Sequence, residues 1–121
     1  MAAGLLGATR ARWRTDTAEY LTDYAGRSIR VTDERMAHLA SAHPEMAGQE
    51  ELIALTLSDP DRVVRSEVDP EVDLYHRMYS HPVVGEKYLL AVVKCVAGDC
   101  FLVTAHFTDR VKRGAVTWTR N

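Results

Sequence analysis

At 121 residues, with 46% apolar and 26% charged side chains, the chain has the size and composition of one soluble globular domain with its own core. Its net charge of −2 argues mildly against a dedicated nucleic-acid binder, and no stretch approaches the roughly 18 consecutive apolar residues of a membrane span. The charge is uneven: residues 1–61 hold 6 Lys/Arg against 10 Asp/Glu, and residues 62–121 hold 9 against 7. The opening "MAAGLLGATRARWR" places its arginines after a short apolar run, the wrong order for a secretory signal, so a cytoplasmic location is expected.

Residues 1–27 read as an N-terminal arm or hairpin, loosely held at its start, and residues 28–121 as a single domain. "SIRVT" reads as a strand. "TDERMAHLASAH" then reads as a helix opening at Thr32 or Asp33, with Met36, Leu39, Ala40 and His43 on one face. After the break at Pro44, "GQEELIALTLSDP" gives a second helix whose inward stripe is Leu52, Ile53, Thr56 and Leu57. Beyond Pro60 the period turns to two. "RVVRSE", "LYHRMYSH", "KYLLAVVKCV" and "CFLVTAHFT" read as four consecutive strands, with "VDPEVD" a turn or loop and "AGD" a tight turn. The expected architecture is α+β, with two helices packed on one face of a roughly four-stranded antiparallel sheet.

Alternation puts Phe101, Val103, Ala105 and Phe107 on a core face and Leu102, Thr104, His106 and Thr108 on the other. In the "LYHRMYSH" strand, Tyr75, Arg77 and Tyr79 are expected to share the open face with Thr104, His106 and Thr108. Arg65 and Lys94 join them. Such a face is also what a solvated antiparallel sheet should hold. The chemistry nevertheless points to phosphate: three cations without interleaved acids, Arg suited to bidentate contact, and imidazole and phenol beside them for proton transfer. His43 closes the first helix, where the dipole favours its cation, so a capping role competes with a catalytic one. His76 falls on the core-side set, His38 at the boundary, and His81 in a loop.

No histidine pair has the spacing of helical zinc ligands, and Cys95 and Cys100 are a single pair, expected as reduced thiols flanking a hairpin turn. No metal or cofactor is expected; Walker, dinucleotide and nucleophile-elbow motifs are absent.

The segments "ERMAHLASAHPEM", "EELIALTLSDPDRVVRS", "LYHRMY", "LLAVVKCV" and "FLVTAHFTDRVKRGAVTW" resemble the small phage-associated nuclease-like domains of the barnase–EndoU–colicin–RelE superfamily. The resemblance runs from about Ile29 to Trp118. It implies helices against a four-stranded antiparallel sheet whose open face cleaves RNA without metal, by attack of a ribose 2′-hydroxyl on its own phosphate. By that resemblance Arg65, Lys94, Thr104 and Thr108 hold RNA phosphate, and Arg77 and Tyr75 fit an aromatic-x-arginine strand. His106 stands where relatives often carry another aromatic residue. His106 or His43 is the expected proton-transfer group, with Arg77 on the transition state and Tyr75 as substitute acid. The expected function is an endoribonuclease toxin or conflict effector whose partners are RNA and a protein antitoxin or inhibitor. The alternative is a non-catalytic RNA- or protein-binding module.

Overall fold

The computed structural model describes residues 18–83 and 85–120. The first 17 residues of the expected arm lie outside the described residues. In chain order the elements are strands β1 (Ala18–Thr22) and β2 (Ser28–Thr32), helix α1 (Asp33–Ala42), a 3-10 turn (Pro44–Met46) and helix α2 (Glu50–Ser58). Strands β3 (Arg62–Ser66), β4 (Val72–His81), β5 (Gly85–Val96), β6 (Asp99–Thr108) and β7 (Gly114–Thr119) follow. His81, expected in a loop, ends β4.

Local chemistry sets the helix ends. Thr32 Oγ1 accepts from the Arg35 N–H at 3.0 Å, and Asp33 and Glu34 sit at the positive end of the α1 dipole. Pro44 follows α1 and Pro60 follows α2, and each proline disfavours helical backbone in the residue before it. Helix α2 buries Ile53, Thr56 and Leu57 against the sheet.

The seven strands form one sheet in the order β1-β2-β6-β5-β4-β3-β7. Every neighbouring pair is antiparallel except β2 and β6, which run parallel through Ile29–Cys100 and Arg30–Phe101. This overturns the expected four-stranded antiparallel sheet. The meander β3 to β6 lies in the middle, the β1–β2 hairpin extends one flank, and β7 extends the other. Both additions depend on pairings between residues far apart in sequence, which no local period announces. The Tyr24 ring, in the β1–β2 turn, lies 4.7 Å from the Trp118 ring of β7, so the sheet curls until its flanks meet. Tyr24 N–H also donates to the Leu57 carbonyl of α2 at 2.9 Å.

Tyr75, Leu89, Ala91, Val93 and Leu102 face the helices in one core with Ile29, Leu39, Ile53 and Leu57. In β6 the register slips: Val92 pairs with Thr104 but Val93 with Leu102, leaving Val103 as a bulge. Cys100 and Leu102 therefore face the core before the bulge, and Ala105 and Phe107 after it. Leu102, expected beside Thr104 and His106, is 2% exposed in the core. Phe101 instead lies on the other face, under the Arg30 guanidinium. Cys95 and Cys100, expected as reduced thiols, are joined as a disulfide across the β5–β6 hairpin. The turn residues Ala97 and Gly98, with φ of +50° and +87°, set them opposite each other. Among the described residues no helix is long and apolar enough to cross a membrane.

To pass from β6 to β7, residues 109–113 cross the sheet face turned away from the helices. They cover His76, which is fully buried and accepts the Lys112 N–H on Nε2 at 3.0 Å. Burial holds this imidazole down to about pKa 4, with the Arg62 and Lys112 cations pushing the same way and the Arg62 and Leu74 backbone partly opposing. The unfolded imidazole, near 6.5, binds a proton that the folded one refuses. Stability should therefore fall as pH drops from about 6.5 to about 4, by up to about 1.4 kcal/mol per pH unit, and stop falling on this account below that. His76→Gln keeps an acceptor for Lys112 and should remove this component from the acid limb of a urea-denaturation series. Superimposable acid limbs for the two proteins would show that His76 is not its source.

The crossover ends at Gly114, whose φ is +145°. A Cβ there would lie 2.6 Å from Val64 Cγ1 and closer still to the Arg65 carbonyl oxygen. Both neighbours belong to β3, so the missing side chain is what lets β7 pair. Gly114→Ala should cost about 2–3 kcal/mol, by strain and by prising β7 from β3. Chemical denaturation measures this; a loss below about 0.5 kcal/mol would mean that β7 is not held as described.

Candidate functional site

Beyond residue 101, β6 has no partner strand on its β2 side among the described residues, because the β2 pairing covers only Ile29–Cys100 and Arg30–Phe101. His106 sits in this free half and stacks on His43, the C-cap of α1, with ring centroids 4.8 Å apart and planes at 26°. His106 Nδ1 lies 3.1 Å from the Phe107 carbonyl oxygen. A carbonyl only accepts, so Nδ1 carries hydrogen there and Nε2 remains for exchange. His43 Nδ1 faces the Glu45 carboxylate at 3.9 Å. Both rings are half-buried rather than locked beneath a helix. Two adjacent imidazoles can act as a base and an acid in one reaction.

Phe107, the residue after His106, and Glu45, two residues after His43, help to line a cleft of about 730 Å³, whose lining includes neither imidazole. Glu45, Gln49 and Leu52 form its helical wall, Tyr79, Ser80 and Lys87 its strand wall, and Phe107, Thr108 and Asp109 the end of β6. Tyr79 is a fixed wall: its hydroxyl donates to the Leu52 carbonyl at 3.2 Å and lies 3.3 Å from Thr56 Oγ1. Lys87 pairs with Asp109, and this cation holds the Asp109 carboxyl below its usual range. The cleft combines an apolar floor with hydroxyls, carboxylates and one lysine. A smaller cleft of about 110 Å³ is lined by Glu19, Glu50 and Glu51.

The structure brings His43 and His106 together and puts Thr108 in the cleft, but it disperses the remaining expected site. Arg65 donates to Asp73 at 2.7 Å, near the β1–β2 turn. Arg77 reaches the Asp59 carboxylate at 3.1 Å and lies over the Tyr79 ring. Lys94, on the sheet face turned away from the helices, is taken up by Asp69 at 3.0 Å and Glu71 at 3.8 Å. The hydrogen bond to Asp69 leads the effects that raise its pKa. Thr104 pairs with Val92 and keeps the sheet face of His106 and Thr108, as expected, but it does not line the cleft. Tyr75, expected beside His106 on an open face, is fully buried among the helices. Burial, and then its bond to Asp23, push its phenol far above the usual range, so it is no acid for substrate. The expected hollow of three convergent cations without acids does not form. Sequence reading missed Glu45, Gln49, Ser80 and Lys87; only "HPE" beside His43 hinted at one of them.

Among the described residues no group of three or more His, Cys, Asp or Glu side chains is arranged to hold a metal ion. The fold and site define a small mixed α+β domain whose curled sheet carries a stacked histidine pair and, lined by the end of the same strand, a cleft. No protein-family model matches the chain, and neither a curated protein nor a solved structure matches it.

Proposed function

We propose that the cleft is the active site of a metal-independent endoribonuclease, with His43 and His106 exchanging the protons. One imidazole takes the proton of a ribose 2′-hydroxyl as its oxygen bonds to the adjacent phosphorus. The other protonates the 5′-oxygen as the P–O5′ bond breaks, leaving a 2′,3′-cyclic phosphate and a 5′-hydroxyl. Lys87 is the cleft cation nearest the reaction, and Thr108 and Ser80 offer hydroxyl contacts. The observation that carries this reading is the stacking of the two imidazoles, with Glu45 and Phe107 from the same two segments lining a cleft of about 730 Å³. The sequence resemblance points the same way and implies a protein inhibitor as partner.

Purified protein incubated with total RNA in excess chelator should produce new ends that carry cyclic phosphate. Intact RNA under these conditions would overturn the proposal. Binding without cleavage is the second reading, favoured by one observation: Arg62, Arg110, Lys112 and Arg113 are exposed and unpaired with carboxylates among the described residues, and so can meet phosphate. Retention of RNA with no new ends would select it.

A further inference from the structure

The cleft chemistry leaves unused the basic run that follows β6: Arg110, Lys112 and Arg113. Most other described cations are committed. Arg27, Arg30, Arg65, Lys87, Lys94 and Arg120 each reach a carboxylate. Arg110, Lys112, Arg113 and Arg62 have no ion-pair partner among the described residues, and all four are exposed. Asp109, the residue before Arg110, is paired with Lys87, and the Arg110 cation acts on it only at longer range.

Their placement is fixed rather than incidental. Arg62 pairs in register with His76 and so lies on the same sheet face. His76 holds the Lys112 backbone on that face at 3.0 Å, Thr108 Oγ1 donates to the Arg110 carbonyl at 3.4 Å, and Gly114 seats the far end against β3. The crossover backbone is pinned at three points while its cationic side chains project to solvent beside Arg62. It also starts at the cleft, since Thr108 and Asp109 line both the cleft and the entry to the crossover. An anionic chain leaving the cleft meets this row next.

We propose that residues 110–113 with Arg62 form a track for the phosphodiester backbone of single-stranded RNA as it leaves the cleft. The inference rests on the cleft being the RNA site, and it extends the substrate from a dinucleotide to a polymer. Phosphate neutralisation releases counterions, so such a track has a salt signature that a solvated surface lacks.

The test compares the full chain with the variant R62Q/R110Q/K112Q/R113Q, using a short 2′-O-methyl oligouridylate that lacks the attacking hydroxyl. Binding is measured across a salt series, and cleavage is measured separately on a dinucleotide. The variant should bind about a hundredfold more weakly near 0.1 M salt. Its slope of log affinity against log salt should be shallower by up to about 3, roughly 0.7 per charge removed. Dinucleotide cleavage should be unchanged. The charge-retaining variant R62K/R110K/R113K should keep the wild-type slope, which separates lost charge from lost fold. An unchanged slope in the glutamine variant overturns the track, as does an equal loss in the lysine variant. If wild type fails to cleave the dinucleotide but shows the slope difference, the track stands and the active-site reading falls.

Discussion

Replacing His106 with alanine should lower RNA cleavage in chelator by a hundredfold to ten-thousandfold, and His43→Ala should do about the same. That range is what one positioned proton-transfer group contributes. The two imidazoles are stacked at 4.8 Å, the Phe107 carbonyl lies 3.1 Å from His106 Nδ1, and the Glu45 carboxylate lies 3.9 Å from His43 Nδ1. Groups that work as a base–acid unit lose most of their effect when either is removed, so the double variant should be little slower than the worse single one. The effect should fall on kcat rather than KM, because proton transfer is realised in the transition state. Neither ring belongs to the buried core, so circular dichroism and the urea midpoint should change little. Wild-type cleavage by a folded His106→Ala protein would remove the pair from catalysis. A loss confined to KM would make it a binding element instead.

The helices were legible because their signals are local. Thr32 caps α1, the prolines after His43 and Asp59 stop the helices, and Ile53, Thr56 and Leu57 recur at helical spacing. The faces of β6 were not legible, because a single bulge at Val103 reverses the alternation between Leu102 and Ala105. The misplaced cation hollow has the same kind of cause. "VDPEVD" reads as a turn by composition, yet Val72 and Asp73 already belong to β4. Asp73 thereby meets Arg65, while Asp69 and Glu71 meet Lys94. Acids assigned to a loop thus neutralise cations assigned to a face. His43 and His106 could be singled out by residue chemistry, but their contact depends on β2 leaving β6 after residue 101. The cleft lining joins a helix start, a strand end and a hairpin base, and no linear motif spans those.

The second large effect should be on stability, at a site remote from the cleft. The Asp23 side chain is 0% exposed and accepts four hydrogen bonds. Two come from the Ala25 and Arg27 backbone at 2.9 and 2.8 Å, one from Arg27 Nε at 3.0 Å, and one from the Tyr75 hydroxyl at 2.6 Å. This carboxylate therefore closes the β1–β2 turn and ties it to the middle of the sheet. Asp23→Ala strips the acceptor from a buried phenol and two turn amides together. The expected loss is on the order of 4 kcal/mol, in the range for breaking a buried charged network. For a domain of this size that lowers the Tm by on the order of 15 °C. Asp73 offers a graded control. It also meets two arginines, but Arg27 and Arg65 are 37% and 44% exposed and solvent screens their share. Asp73→Ala should accordingly cost less than Asp23→Ala, and Tyr75→Phe, which deletes only the hydroxyl, about 1–3 kcal/mol. Thermal and urea unfolding of the three variants rank them directly. Under folding conditions the Asp23→Ala protein should still cleave a dinucleotide at the wild-type kcat, because the cleft lies elsewhere on the sheet. A loss below about 1 kcal/mol would mean that the β1–β2 turn is held by Tyr24 packing on Trp118 and α2 instead.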